Sequence, residues 1–356
     1  MRSSTALFHG PADIPPRKRS VLTRLQRRFL TQLLAVPILL LSLLSLCCLC
    51  YYQTLPPCAH PATLGVVVFA YQRPASLQRL LRSLDAVRFG DDTVPLHIWV
   101  DHSDRDDAWR VAQRWPWRHG PKTVERRERH HGICESWLHG LPSFLNTDYV
   151  WFLEDDIELG VPAYAAIRHG LLCRSPPDLP GMVLQRLPEV PTGAAVHFTS
   201  SWAPVFRTAY FRNFTEWVAR RRQLAPDFRP FLPGHDRTFN RWLREERDVW
   251  SPWLRRFAFE YGHVFLALGD TTLVVNHREP GVHYTAAGGI SGSVARPTHR
   301  LPPAVQSRLR SPSLLPSPLS VWECEDDGSV QCTPVAGGQE ALWWRGHRDR
   351  QEQQLD

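Results

Sequence analysis

The chain has 356 residues, 43% of them hydrophobic and 22% charged, enough to bury a sizeable core in one large domain or two small ones. Its formal charge of +7 does not mark a nucleic-acid binder: residues 1–28 hold seven basic side chains (Arg2, Arg17, Lys18, Arg19, Arg24, Arg27, Arg28) against Asp13, so they alone supply +6 and the rest is near neutral. The 31 prolines argue for irregular connections rather than long uninterrupted helices, and core packing accounts for most of the 14 tryptophans.

After the basic tail 1–28, residues 29–52 (FLTQLLAVPILLLSLLSLCCLCYY) form an uncharged run long enough to cross a bilayer core of roughly 30 Å. Pro37 is tolerated in a membrane helix, and Tyr51 and Tyr52 fall where an interfacial aromatic belt belongs. The expectation is an uncleaved anchor with a cytoplasmic N-terminus and a lumenal remainder; a cleaved signal peptide is the alternative, but bulky tyrosines make a poor cleavage site. Residues 53–64 are a short Pro-rich stem. Beyond the anchor lie Cys58, Cys134, Cys173, Cys324 and Cys332. An oxidising lumen favours disulfides, Cys324–Cys332 is the expected pair around EDDGSVQ, and the odd count leaves at least one thiol unpaired. Asn213-Phe214-Thr215 is a glycosylation sequon.

From Gly65 the run GVVVFAY predicts a buried strand of a parallel sheet. Leu77, Leu80, Leu81 and Leu84 then recur at helical spacing. PLHIWVD predicts a second strand, DAWRVAQRW a helix, and the stretch up to Gly132 a charged, His-rich loop. ICESWLHGLPSFL predicts a helix that feeds a third strand, DYVWFLEDD. This β-α-β-α-α-β order over about 90 residues predicts a Rossmann-like nucleotide-binding half, residues 65–180. A second half, 181–300, shows strand-like pieces (GMVLQRL, AVHFTSS, APVF), helices over 208–224 and 236–247, and a Gly-rich segment at 285–293. Residues 301–356 form a Pro/Ser-rich extension with the cysteine loop and a polar tail expected to be disordered.

Ligands of open α/β sheets gather at the carboxyl ends of strands. Arg73, Asp101 and the triplet Glu154-Asp155-Asp156 all fall at such ends. A strand ending in acids suits Mn²⁺ or Mg²⁺ held against a diphosphate, because these ions take few protein carboxylates and fill their remaining positions with phosphate oxygens. Trp202, in TSSW, offers a flat face for a sugar ring, with core packing as the plainer role.

VVVFAYQRPASLQRLLRSL, IWVDHSD, the His-containing loop and YVWFLEDDIELGVPAY together resemble the nucleotide-binding half of GT-A glycosyltransferases, most closely the N-acetylglucosaminyltransferase I type, which carries an E-D-D form of the D-x-D motif. The resemblance covers about 65–165 well and 200–295 loosely. It implies a GT-A-like α/β fold behind a type II signal anchor, in the Golgi membrane with the catalytic part lumenal. By position, Asp156 would be the metal ligand, Glu154 and Asp155 would meet the ribose and sugar, and Arg73 and Asp101 would bind the uridine. An inverting transferase needs a base for the acceptor hydroxyl, and Asp236 in PGHDRTFNRWL is the best placed, with Glu216, Glu260 and Glu279 in reserve. His283 and the amides of Gly288 and Gly289 would meet the diphosphate. The implied reaction moves a sugar, GlcNAc in first place, from a UDP-sugar to a glycan, glycoprotein or glycolipid acceptor, with Mn²⁺ or Mg²⁺; the short stem suits a membrane-proximal acceptor. The rivals are a UDP-galactose or other UDP-hexose transferase, a catalytically silent GT-like sugar-binding protein, and a hydrolase using Asp155 with Asp236.

Overall fold

The computed structural model describes residues 61–174, 179–197, 200–232, 237–269, 271–277, 299–310, 321–326 and 330–334. The apolar run 29–52, most of the stem, Asp236, His283, Gly288 and Gly289 lie outside them. No helix among the described residues is long and apolar enough to cross a membrane.

The chain begins its sheet with β1 (Leu64–Ala70), buried along its whole length. Alternate residues face opposite sides. Leu64, Val66, Val68 and Ala70 join one core cluster, whereas Val67 and Phe69 join a second. Helix α1 (Pro74–Asp85) covers the first face with Leu77, Leu80, Leu81 and Leu84, and Pro74 opens it at a position where no amide is needed. β2 (Leu96–Val100) and α2 (Asp107–Arg114) follow as expected.

The expected loop before Gly132 is instead interrupted by a strand, β3 (Lys122–Arg126), parallel to β2. KTVER escapes the apolar-run criterion because it forms the sheet edge, where its residues alternate between half-buried and exposed. Its first residue also ends the preceding helix: Lys122 Nζ donates to the carbonyls of Ala112, Gln113 and Trp115 at 3.0, 2.9 and 2.5 Å. The helix predicted over ICESWLHGLPSFL is only α3 (Gly132–Leu138). It stops because Gly140 packs its backbone against the sheet: a Cβ there would stand 2.3 Å from the Phe69 ring, and the Gly140 carbonyl accepts a 2.7 Å bond from Trp99 Nε1.

β4 (Tyr149–Glu154) lies beside β1, which places the parallel strands in the order β3-β2-β1-β4. Past β4 the sheet changes character. β8 (Val205–Arg207) is antiparallel to β4 and also to β6 (Gly181–Val183). β6 is parallel to β9 (Phe265–Ala267), which is antiparallel to β7 (Ala195–Val196). The hairpin β11 (Val321–Asp326) and β12 (Val330–Pro334) completes ten strands by pairing β11 parallel to β7, so part of the C-terminal extension belongs to the main sheet. Within it Cys324 stands opposite Cys332 in the register. Cys173 is disulfide-bonded, and among the described residues the free thiol is Cys134, buried.

A separate two-stranded sheet pairs β5 (Ile157–Leu159) with β10 (Val274–Asn276). After β5 come α4 (Ala163–Ile167) and one π-helical turn, 168–172. In the second half, α5 (Thr208–Leu224) fills the predicted span, α6 (Arg237–Arg244) is shorter than predicted, and α7 (Ser251–Glu260) is an additional helix. Asn213 of the sequon is exposed on α5. The last described helix is α8 (Pro303–Arg310).

His97, on β2, is 1% exposed, with Nδ1 2.9 Å from Thr123 Oγ1. Burial, aided by the Arg127 charge, pushes its pKa down to about 4. Burial brings His197 and His263 to about 4 as well. A histidine depressed in the fold adds stability above pH ~6.5 and loses it as the pH falls toward the folded value, on the order of 1–3 kcal/mol per ring. Urea unfolding at pH 7 and pH 4.5 should therefore show a smaller loss for His97→Leu than for the parent; an equal or larger loss contradicts a neutral buried imidazole.

Candidate functional site

β1 and β4 are adjacent and parallel, so their carboxyl ends open on one place. β4 delivers Glu154, Asp155 and Asp156 there. Asp155 and Asp156 are 1% and 4% exposed, and Glu154 is partly buried. β1 delivers Tyr71, Gln72 and Arg73. Gln72 takes the left-handed conformation, φ +50°, which turns the chain sharply between strand and helix. Arg73 then reaches back across the strand ends: it ion-pairs with Asp155 and stands 3.5 Å from Asp156 Oδ2. The Tyr71 amide donates to the other oxygen of Asp155 at 3.1 Å.

Three carboxylates thus face one guanidinium, and the charges register the imbalance. Burial works against the Arg73 cation, but Asp155 and Asp156 outweigh it and hold its pKa above the ordinary value. Burial, then repulsion from Asp156, pushes Glu154 up to about 8. Burial raises Asp155 to about 7, with the attraction of Arg73 opposing the rise. An excess of buried negative charge at a strand end fits a divalent cation, which takes one or two carboxylates and completes its shell from substrate oxygens. No group of three acidic, histidine or cysteine side chains among the described residues forms a cage by itself.

Asp101, ending β2, is placed differently. Its carboxylate, in a residue 7% exposed, accepts the amides of His102 (2.8 Å), His131 (3.0 Å) and Gly132 (3.0 Å), and lies 2.8 Å from His130 Nδ1. Gly132, at φ +73°, allows the turn into α3 that makes these bonds. Asp101 therefore holds the start of α3 against the strand end. The His130 ring packs on Tyr71 at 4.8 Å between centroids, which links the Asp101 corner to the Asp155 corner.

Two participants lay beyond sequence reasoning. Trp137 on α3 donates from Nε1 to Glu154 Oε1 at 3.0 Å, and its ring is fully buried. Tyr71 contributes through its amide and ring. His130, expected as solvated loop, is half exposed yet bridges both corners. Trp202 is partly buried and packs against the core, its plainer role. On the far side of the triplet the His277 amide donates to the Asp156 carbonyl at 2.9 Å, and His277 Nε2 lies 2.8 Å from Glu158 Oε2. The structure thus brings together Arg73, Glu154, Asp155 and Asp156, with Asp101 at the neighbouring strand end.

A raised carboxyl pKa favours the fold below about pH 4.5, and that stability is lost as the pH rises through about 8. Glu154→Gln, which keeps a carbonyl oxygen for Trp137, should be more stable than the parent at pH 8, on the order of 1–3 kcal/mol by denaturant unfolding, with the difference shrinking below pH 5. A variant less stable than the parent at pH 8 contradicts the charge excess.

No protein-family model matches the chain, and no curated protein matches it. Solved structures do. The mannosyltransferase PcManGT from Pyrobaculum calidifontis, in complex with GDP-Man and Mn²⁺, is 13% identical over 48% of this chain and 53% of its own, with a TM-score of 0.35. S. aureus TarS 1–349 is 14% identical over 58% of this chain and 57% of its own, also at 0.35. The same protein in complex with UDP-GlcNAc gives 12%, 58%, 55% and 0.34. The chain spans about half the length of these proteins, and at such scores the likeness is remote.

Proposed function

We propose that the chain is a metal-dependent glycosyltransferase that moves a sugar from a nucleotide-sugar to an acceptor. One observation carries this: Glu154, Asp155 and Asp156 sit at the carboxyl end of β4, beside the end of β1, with more negative charge than Arg73 neutralises. The site lies between β1 and β4, where the parallel order β3-β2-β1-β4 reverses its direction of progression, the switch point at which open α/β sheets bind ligands.

In this account Asp156 holds Mn²⁺ or Mg²⁺, with Arg73 fixing Asp155 beside it. The cation would supply charge neutralisation to the departing diphosphate. Glu154 is aimed by Trp137 toward the ribose and sugar. Asp101 orders the His130–Gly132 turn that walls the nucleotide side. The uridine nucleotide, with GlcNAc as the sugar, is supported by the resemblance of the E-D-D segment and its flanking strand to the N-acetylglucosaminyltransferase I type. The base role of Asp236, the diphosphate role of His283 and inversion at the sugar are supported by sequence position alone. The basic tail and the apolar run 29–52 support a type II Golgi membrane protein acting on lumenal glycans, glycoproteins or glycolipids.

The test is release of nucleoside diphosphate by the detergent-solubilised full-length chain over a panel of UDP- and GDP-sugars, with Mn²⁺ or EDTA. Turnover of one UDP-sugar should require Mn²⁺ and fall about 100-fold or more in Asp156→Ala. No turnover, together with no nucleotide binding by calorimetry, would move the protein to the silent sugar-binding class.

A further inference from the structure

Helix α3 is bound on one side to the strand ends and on the other to the second half of the chain. Its start hangs from Asp101 through the His131 and Gly132 amides. Two residues past Gly132, Cys134 Sγ accepts from Arg222 Nη2 at 3.6 Å, and three residues on, Trp137 lies face to face with Trp250, ring centroids 3.7 Å apart and planes 13° from parallel. Trp250 is 2% exposed and heads α7, where its carbonyl accepts the amides of Trp253 and Leu254 at 3.0 and 3.3 Å. Phe69 and Phe152 approach the Trp137 ring at 5.1 and 5.0 Å. The indole is thereby confined by β1, β4 and Trp250, and its single N–H points at Glu154 Oε1, 3.0 Å away.

We infer that Trp250 is a positioning residue for Glu154, acting through the stacked indole of Trp137, so that the start of α7 sets the orientation of a carboxylate in the donor site. The inference rests on the proposed function for what Glu154 does, but the linkage itself is a property of the fold. A buried aromatic pair of this kind serves ordinary core packing as well, worth its area burial plus a modest pairing energy. What distinguishes it here is the hydrogen bond: an indole N–H is a donor only, and moving the ring changes which carboxylate rotamer can accept it. The tryptophan pair thus conveys the placement of the second half to a side chain that meets the donor sugar.

Two readouts test this on the detergent-solubilised full-length chain. The first needs no activity. In a [¹⁵N]indole spectrum, the Trp137 resonance is assigned by its loss in Trp137→Phe. It should move in Glu154→Gln and again in Trp250→Leu, with Trp250→Phe, which keeps a stacked ring, lying near the parent. The second is a double-mutant cycle on UDP-sugar turnover. Trp250→Leu should lower kcat/KM about tenfold in the parent background and have little effect in the Trp137→Phe background, which lacks the indole N–H, and Trp250→Phe should restore most of the loss. If Trp250→Leu leaves the Trp137 resonance in place, or costs the same factor in both backgrounds, Trp250 is packing alone and the inference is wrong. Where Trp250→Leu does not fold, the resonance in Trp250→Phe and Trp250→Tyr decides. A chain that turns over no donor, yet shows the coupled resonances, refutes the proposed function and keeps the linkage.

Discussion

Negative charges gathered at the end of a buried strand repel one another in a medium that screens poorly, and the surroundings must answer for them. In this protein the answer comes from β1. The left-handed Gln72 turns the chain so that Arg73 falls back on Asp155 and Asp156, and the Tyr71 amide takes the remaining oxygen of Asp155. Burying charge without such partners costs several kcal/mol per ion, and removing one partner of a buried pair typically costs 3–5 kcal/mol. The pairing of β1 with β4 is therefore an electrostatic requirement as well as a hydrogen-bonded one, because only that adjacency lets a residue after one strand neutralise residues after the other.

The compensation is partial, and the incompleteness is what gives the site a chemistry. Glu154 and Asp155 are held well above the usual carboxylate range, so the protein alone is not the most comfortable state of this cluster. A divalent cation accompanied by phosphate oxygens would relieve it. Around this centre the polar contacts are directional: Trp137 fixes Glu154 from one side, while Asp101 gathers the amides that open α3 and holds the His130 ring against Tyr71. The same short helix carries both functions, the amides of its cap and first residue and the indole of its sixth.

Much of this was visible in the chain before folding, and the exceptions have physical causes. β1, β2 and β4 announce themselves as apolar β-branched and aromatic runs because both faces of a central strand are covered, and α1 by leucines at helical spacing. Arg73, Asp101 and the acid triplet were recognisable as polar residues stationed at strand ends. β3 was not, since KTVER lies at an edge where burial imposes no apolar run. The helix SPWLRRFAFE was missed because it is buried nearly all round and shows no polar stripe. The partners of Asp101 lie about thirty residues downstream, and that of Glu154 seventeen upstream. No local pattern reports contacts made through the fold. Asp236 and His283, singled out by position, fall outside the described residues.

A cation site completed by a nucleotide is what we propose for the acid triplet. Its most direct test is the electron paramagnetic resonance signal of Mn²⁺ titrated into the full-length chain with and without UDP. UDP and Mn²⁺ should bind together far more tightly than either alone, and Asp156→Asn should abolish this mutual enhancement while leaving the protein folded. Mn²⁺ and UDP that bind independently, or an enhancement that survives Asp156→Asn, would contradict it.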